Sequence, residues 1–255
     1  QITSFAAHTN LDTAVQGVND ALAEKLQLQD CRGFVPVKTY SSYKFTLYTT
    51  AAYAKLLKKE LDNLGEKHIG SYYVVDDTDD FTKNIRVEFH VPGQLIEQVK
   101  DLISSLDKLV KYDIHELVNH NYKETMGRIG KLPCPMHAEE ALDYIKSKLR
   151  IPVLRYAGNK DSLVEKVAIL GGAGAEFAGL AKSMGVDLYL TGDLKYHEAQ
   201  NAAMDGLIIA DGGHFYTESV IIPYLAKRLR NELKKRGWEI EVLEDIGAQD
   251  IFHYV

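Results

Sequence analysis

Several features that mark specialised protein classes are scarce in this sequence. Two cysteines in 255 residues, Cys31 and Cys134, stand far apart with no Cys-x-x-Cys pairing. That excludes a disulfide-stapled scaffold and a zinc knuckle, suits a reducing compartment, and leaves both thiols expected to pack as small apolar groups. No basic run exceeds Lys234-Lys235-Arg236, and Lys plus Arg number 30 against 36 Asp plus Glu, for a formal net charge of −6. Such a balance argues against nonspecific nucleic-acid binding. Apolar runs such as Leu207-Ile208-Ile209-Ala210 and Val220-Ile221-Ile222 fall far short of the roughly 18 residues that cross a bilayer, so a soluble, cytoplasmic protein is expected. There is no low-complexity tract and no solenoid-period repeat. What remains is ordinary globular composition, 45% hydrophobic and 26% charged, enough chain for one large domain or two modest ones.

The first residues, Gln1-Ile2-Thr3-Ser4-Phe5, read as a strand with neither an initiator Met nor a signal peptide, and the gene product is expected to begin earlier. From Asp12 to Leu28, Val15, Val18, Leu22 and Leu26 recur at spacings of three and four and predict an amphipathic helix. A different rhythm follows: a strand at Tyr43–Tyr48, a helix over Ala52–Leu64 stopped by Gly65, strands at Gly70–Val75 and Ile85–Val91 around the acidic turn Asp76–Asp80, a helix over Gln94–Leu109 and a strand at Tyr112–Val118. This β-α-β-β-α-β order is that of a split βαβ, ferredoxin-like unit, placed at residues 40–125. Met126–Pro135, punctuated by glycine and proline, reads as a connector that is neither helix nor central strand throughout. Beyond it helices and strands alternate: helix His137–Leu149, strands Val153–Tyr156 and Val167–Leu170, helix Glu176–Met184, strand Leu188–Leu190, helix Tyr196–Met204, strand Leu207–Ala210, helix Phe215–Arg236 and strand Glu239–Leu243. The expected architecture is an α/β domain, residues 1–39 and 126–255, interrupted by an inserted ferredoxin-like α+β domain.

Three strand-to-helix junctions carry groups capable of chemistry. In Asp211-Gly212-Gly213-His214-Phe215-Tyr216-Thr217-Glu218, His214 and Glu218 lie four apart and share a helix face, and the paired glycines allow close approach of backbone or ligand. An imidazole and a carboxylate so placed can hold a divalent metal at a strand end; equally, Glu218 can simply favour the positive end of a helix dipole. In His8-Thr9-Asn10-Leu11-Asp12 a second imidazole and carboxylate occur together, Asp12 being either a ligand or a helix cap. Two strand ends each offering a His and a carboxylate make the ligand set of a hydrolytic dinuclear site. The third junction, Thr191–Glu198, offers Asp193 as a helix cap and His197 either as a solvated side chain or, if the strands are parallel neighbours, as a general acid or base. Gly171-Gly172-Ala173-Gly174-Ala175-Glu176-Phe177 fails as a nucleotide loop. Phe177 takes the third glycine's place and no Gly-Lys-Ser/Thr ending follows, which leaves a tight turn whose amides face the cleft.

The segments AAHTNLD (6–12), YKFTLYTTAAY (43–53), MGRIGKLP (126–133), TGDLKYHEA (191–199) and DGGHFYTE (211–218), in this order and running on to the closing DIFHYV, resemble the NGG-one interacting factor three-like dinuclear-metal family, the GTP cyclohydrolase I type 2 homologues. The resemblance implies that the insert is the PII- or CutA-like domain of bacterial members. It also implies two metal ions, of zinc, iron, manganese, cobalt or nickel, held by adjacent histidines near the N-terminus, the aspartate of an H-x3-D motif and the histidine and glutamate of a GH-x3-E motif. Carried across, the last three are Asp12, His214 and Glu218, with His8 beside the site. No adjacent His-His pair occurs in this sequence, so those ligands are expected upstream of Gln1, and this chain is expected to bind fewer than two ions. The resemblance further implies a metal-dependent hydrolase acting on a small molecule, nucleotide-like if the family name is a guide, and assembly as a homohexamer; the third junction adds His197 as a candidate proton-transfer group. The other reading is a non-catalytic regulatory or scaffold oligomer whose PII-like insert binds a ligand or partner.

Overall fold

Along each of three strands successive apolar residues point to opposite faces of a sheet, and here both faces are buried. Val167 and Ile169, Leu188 and Leu190, and Ile208 and Ala210 pack on one side with Leu22, Leu26, Leu142 and Ile145. Ala168 and Leu170, Tyr189 and Ile209 pack on the other with Phe34, Ala181 and Ala202. Strands covered on both faces read as continuous apolar runs, which is why Leu207–Ala210 shows no alternation. The computed structural model describes residues 2–64, 70–76, 85–106, 110–245 and 247–253. The chain forms two compact units, one of Gln1–Val37 and Glu124–Val255, the other of Lys38–Lys123.

The first unit contains α1 (Thr9–Thr13), α2 (Val18–Lys25), the start of β1 (Gln29–Thr49), the end of β4 (Tyr112–His137), α5 (Ala138–Leu149), β5 (Arg155–Ala157), β6 (Leu163–Ala173), α6 (Ala178–Ser183), β7 (Leu188–Gly192), α7 (Tyr196–Met204), β8 (Ile208–Asp211), α8 (His214–Glu218) and α9 (Ile221–Lys235). Its strands lie in the order β1-β4-β6-β7-β8-β5. β6, β7 and β8 are parallel to one another, while β4 and β5 flank them antiparallel. This is a mixed α/β sheet with α2 and α5 on one face and α6 and α7 on the other. The second unit contains α3 (Ala51–Asn63), β2 (Gly70–Asp76), β3 (Ile85–Pro92) and α4 (Ile96–Leu106) with parts of β1 and β4. Its order is β2-β3-β1-β4, and β3 pairs antiparallel with both β1 and β2. Phe45, Leu47, Val87 and Phe89 meet Leu57, Leu61, Val99 and Ile103 of the two helices in its core.

Several expected elements take another form. Residues 2–8 are not a strand; Ile2 and Phe5 are exposed. The helix expected over Asp12–Leu28 is split into α1 and α2, because Gln16 adopts φ 61 and Gly17 sits where a Cβ would lie 1.9 Å from the Leu11 carbonyl oxygen. At that break the Asp20 carboxylate accepts the Gln16 N–H at 2.6 Å. The supposed connector Met126–Pro135 is strand, part of β4; its prolines fall where the pairing with β6 slips, between Lys131 and Met136, a place where a missing N–H is tolerated. Arg128, in the same stretch, is buried and grips Asp20 with two hydrogen bonds, Nε to Oδ1 at 2.6 Å and an Nη to Oδ2 at 2.8 Å. The helix expected over Phe215–Arg236 breaks into α8 and α9. Pro223 has no N–H for the Ser219 carbonyl and its ring crowds that carbonyl. Glu239–Leu243 is not a strand; the Val242 carbonyl instead accepts from Arg230, which also pairs with Glu244. The helix expected over Glu176–Met184 opens as a 3-10 turn at Ala175–Phe177, and that over Gln94–Leu109 as one at Gly93–Leu95. Gly65, Asp77–Asp80 and residues 107–109 lie outside the described residues. Cys31 and Cys134 are exposed rather than packed inside.

Candidate functional site

Parallel pairing places the carboxyl ends of β6, β7 and β8 side by side, with Ala173 opposite Gly192 and Thr191 opposite Asp211. Glycines at these ends let the chain segments approach. A Cβ on Gly192 would lie 2.9 Å from the His214 nitrogen, and one on Gly172, at φ 70, would lie 2.5 Å from Glu218 Oε1. Thr217, wholly buried, accepts the Gly172 N–H at 3.0 Å and donates to the carbonyls of Gly213 and His214 at 2.9 and 3.1 Å. Asn19 ties α2 into the same corner, accepting the Gly171 N–H at 3.0 Å and donating to the Asp12 carbonyl at 3.0 Å.

This framework gathers the side chains. His214 and Glu218, one turn apart on α8, face each other with Nε2 to Oε1 at 3.2 Å. The other imidazole nitrogen, Nδ1, lies 2.7 Å from Asp193 Oδ2. Asp12 lies near enough for its charge to act on both His214 and Glu218, and His8 near enough to act on Asp12 and Glu218. Glu218 is held above the ordinary carboxylate range by desolvation, the neighbouring Asp12 and Asp193 adding to the rise while His214 and His8 oppose it. Asp12 is raised by desolvation too, against the pull of His8 and His214. His214 is raised by its hydrogen bond to Asp193, helped by the charges of Glu218, Asp193 and Asp12 and opposed by desolvation. Three carboxylates around one imidazole make a place that favours positive charge.

The site opens into a cleft of about 1040 Å³, whose polar wall includes Arg155, Asp193, Asp211, His214 and Glu218, with Asp250 and His253 from the C-terminal segment. Its apolar wall includes Val153, Phe215 and Ile222, with Ile251 and Phe252 from the C-terminal segment. Asp193 is not a helix cap. Lys195 occupies the N-cap position of α7, and the Glu198 carboxylate accepts the Lys195 N–H at 2.9 Å. His197 is exposed on α7 with its ring edge-on to Tyr196, outside the lining of the cleft. Sequence reasoning did not single out Asp211. This buried carboxylate accepts N–H groups of Leu194 and Gly213 at 3.2 and 3.0 Å and pairs with Arg155, knotting two strand-end loops together. Its position as the last residue of an apolar strand before Gly-Gly was the available signal.

In chemistry the donors fit a divalent cation: nitrogen and oxygen ligands with an excess of negative charge. In number they supply part of a shell, for among the described residues no three His, Cys, Asp or Glu side chains converge closely enough to hold an ion. His214 Nε2 and Glu218 Oε1 are the facing pair, and Asp12 is the neighbour whose side chain would have to turn toward them.

Fold and site together define an α/β protein that collects carboxylates and an imidazole beyond the carboxyl ends of parallel strands. The family model of Duf34/NIF3 (NGG1p interacting factor 3) matches residues 1–246, and the chain belongs to that family. It is similar to the GTP cyclohydrolase 1 type 2 homolog of Halalkalibacterium halodurans, 30% identical over 278 residues covering 100% of this chain and 74% of the relative. It is also similar to that of Bacillus subtilis, 33% identical over 269 residues covering 95% and 72%. Among solved structures, a Bacillus cereus protein related to NIF3 matches with a TM-score of 0.78 and 30% identity, covering 98% of this chain and 73% of that one.

Proposed function

We propose that this protein is a divalent-metal-dependent hydrolase of a small molecule, with His214 and Glu218 as metal ligands and Asp12 completing this chain's contribution. The observation that carries the reading is the imidazole of His214 set between two carboxylates, Asp193 on one nitrogen and Glu218 on the other. A bound divalent ion would supply Lewis acidity and a water of lowered pKa. The chain's own residues do the rest. The apolar wall of Phe215, Ile222 and Phe252 excludes water from one side of a substrate, and Arg155, anchored by Asp211, presents a cation to an anionic group. His197, outside that cleft, has no part in this scheme. We read the Lys38–Lys123 unit as a PII-like insert, and the protein as a cytoplasmic homohexamer; light scattering on the purified protein tests the assembly.

The test of function is calorimetric titration with Zn²⁺ and Mn²⁺ of the parent, Asp12→Ala, His214→Ala and Glu218→Gln, beside hydrolysis assays on GTP and a panel of phosphoesters. Fewer than two ions per chain should bind, with affinity lost in His214→Ala and Glu218→Gln. Turnover that is absent, or that survives both substitutions, overturns the hydrolase reading; metal binding without turnover favours a regulatory oligomer.

A further inference from the structure

Asp193 combines three observations that capping or solvation does not explain. It adopts φ 57, a left-handed backbone conformation that L side chains rarely adopt and that persists where the surroundings enforce it. The enforcing contacts are present: the next residue, Leu194, donates its N–H to the buried Asp211, and Asp211 also takes the N–H of Gly213, the residue before His214. The carboxylate of Asp193 meets His214 Nδ1 at 2.7 Å. One buried aspartate therefore fixes, through two loops, the distance between a second aspartate and a histidine.

The structure assigns Asp193 as the positioning residue of His214: its carboxylate holds the ring in the tautomer with hydrogen on Nδ1 and turns the Nε2 lone pair toward Glu218 and the cleft. An ionised carboxylate only accepts, and of the two that face the ring Asp193 is the nearer, at 2.7 Å against 3.2 Å for Glu218, so the hydrogen of a neutral ring belongs on Nδ1. Nε2 then faces Glu218 Oε1 at 3.2 Å, lone pair toward lone pair, an arrangement that is favourable only with positive charge between them. Histidines that ligate metals commonly donate their other N–H to a carboxylate in this way, which fixes ring orientation and raises ligand basicity. The consequence for metal binding rests on the function proposed above; the tautomer does not.

The test uses the full chain as parent, Asp193→Gly and Asp193→Asn. Glycine accepts φ 57 without strain and removes the acceptor; asparagine keeps an oxygen acceptor but adds a competing donor. In protein without added metal, with histidine nitrogens labelled and the ring neutral, NMR should show His214 as the Nδ1–H tautomer in the parent and a shift toward Nε2–H in Asp193→Gly. Zn²⁺ affinity should fall by about 10- to 100-fold in Asp193→Gly, with Asp193→Asn intermediate, while the melting temperature of Asp193→Gly is unchanged or raised. A parent His214 in the Nε2–H form, or an Asp193→Gly variant that keeps the parent tautomer, overturns the assignment whatever the metal does. Zn²⁺ affinity in Asp193→Gly within about threefold of the parent overturns its role in ligation. A parent that shows the Nδ1–H tautomer yet binds no Zn²⁺ supports the positioning and removes the metal reading instead.

Discussion

Thr217→Val is nearly isosteric, so its effect isolates one hydroxyl. In the native protein that hydroxyl accepts the Gly172 N–H at 3.0 Å while donating to the carbonyls of Gly213 and His214. Valine fills the same space but leaves the buried Gly172 N–H without its acceptor. The Gly213 carbonyl keeps the Thr217 N–H at 3.3 Å, so the orphaned donor dominates the cost, about 1–3 kcal/mol. Thr217→Ser retains the hydroxyl and sacrifices one methyl group, about 0.8 kcal/mol. For a unit of this size each kcal/mol moves the melting temperature by about 2–4 °C, so Thr217→Val should melt below Thr217→Ser, by about 4 °C at the middle of these ranges. Scanning calorimetry on both variants and the parent decides it. If Thr217→Val melts with or above Thr217→Ser, the hydroxyl does not tie the Gly172 turn to α8. The substitution should also weaken Zn²⁺ binding, because the turn that it frees is the one packed on Glu218.

Gly172→Ala forces an L side chain into φ 70, about 1–2 kcal/mol, and drives its Cβ against Glu218 Oε1; since that carboxylate can swing away, metal affinity should drop more steeply than stability, a split that paired melts and calorimetric titrations would show. Asp20→Ala leaves the buried Arg128 guanidinium without its bidentate partner and should cost about 3 kcal/mol in chemical denaturation, with most of it recovered in the Asp20→Ala/Arg128→Met double variant; no recovery would mean that the pair is not what the cost measures. Asp12, Glu218 and His214 are all raised above their ordinary values, so each holds its proton more tightly in the folded state. The stability they contribute is full below the unfolded values of 3.8, 4.5 and 6.5 and is lost as pH rises through the raised folded values. Without added metal, the stability difference between parent and Glu218→Gln should therefore shift against the parent as pH climbs from the carboxylate range; a shift in the parent's favour would contradict the sign.

What could be read from residues alone was whatever local spacing dictates. His214 and Glu218 face each other because α8 puts residues four apart on one side, and Leu188–Leu190 and Leu207–Ala210 read as buried strands because both sheet faces are covered. The family was legible too, through five short motifs in order. Contacts across long sequence separations were not. MGRIGKLP looked like a connector because its glycines and prolines are local breakers, yet Arg128 in it binds Asp20, 108 positions away, and the prolines sit at a slip in pairing that only β6 reveals. The division of the first helix at Gln16–Gly17 belongs to the same bond, since Asp20 holds both the turn and Arg128.

Asp193 was hidden for a related reason. At a strand end followed by a helix, an aspartate ordinarily caps, and nothing in Thr191–Glu198 distinguishes a cap from a residue whose partner lies 21 positions on. The distinguishing fact is its left-handed backbone, and Asp211 enforces that conformation from a neighbouring strand. The site therefore has two levels of support. Asp211 and Thr217 bind backbone to backbone and set where the loops lie, while Asp193 and Glu218 bind the imidazole and set which nitrogen it offers. Substitution at the first level should lower stability and metal affinity together, whereas substitution at the second should lower affinity without a matching loss of stability. Comparing Thr217→Val with Asp193→Gly in paired melts and Zn²⁺ titrations separates the two levels, and equal loss of stability in both variants would collapse the distinction.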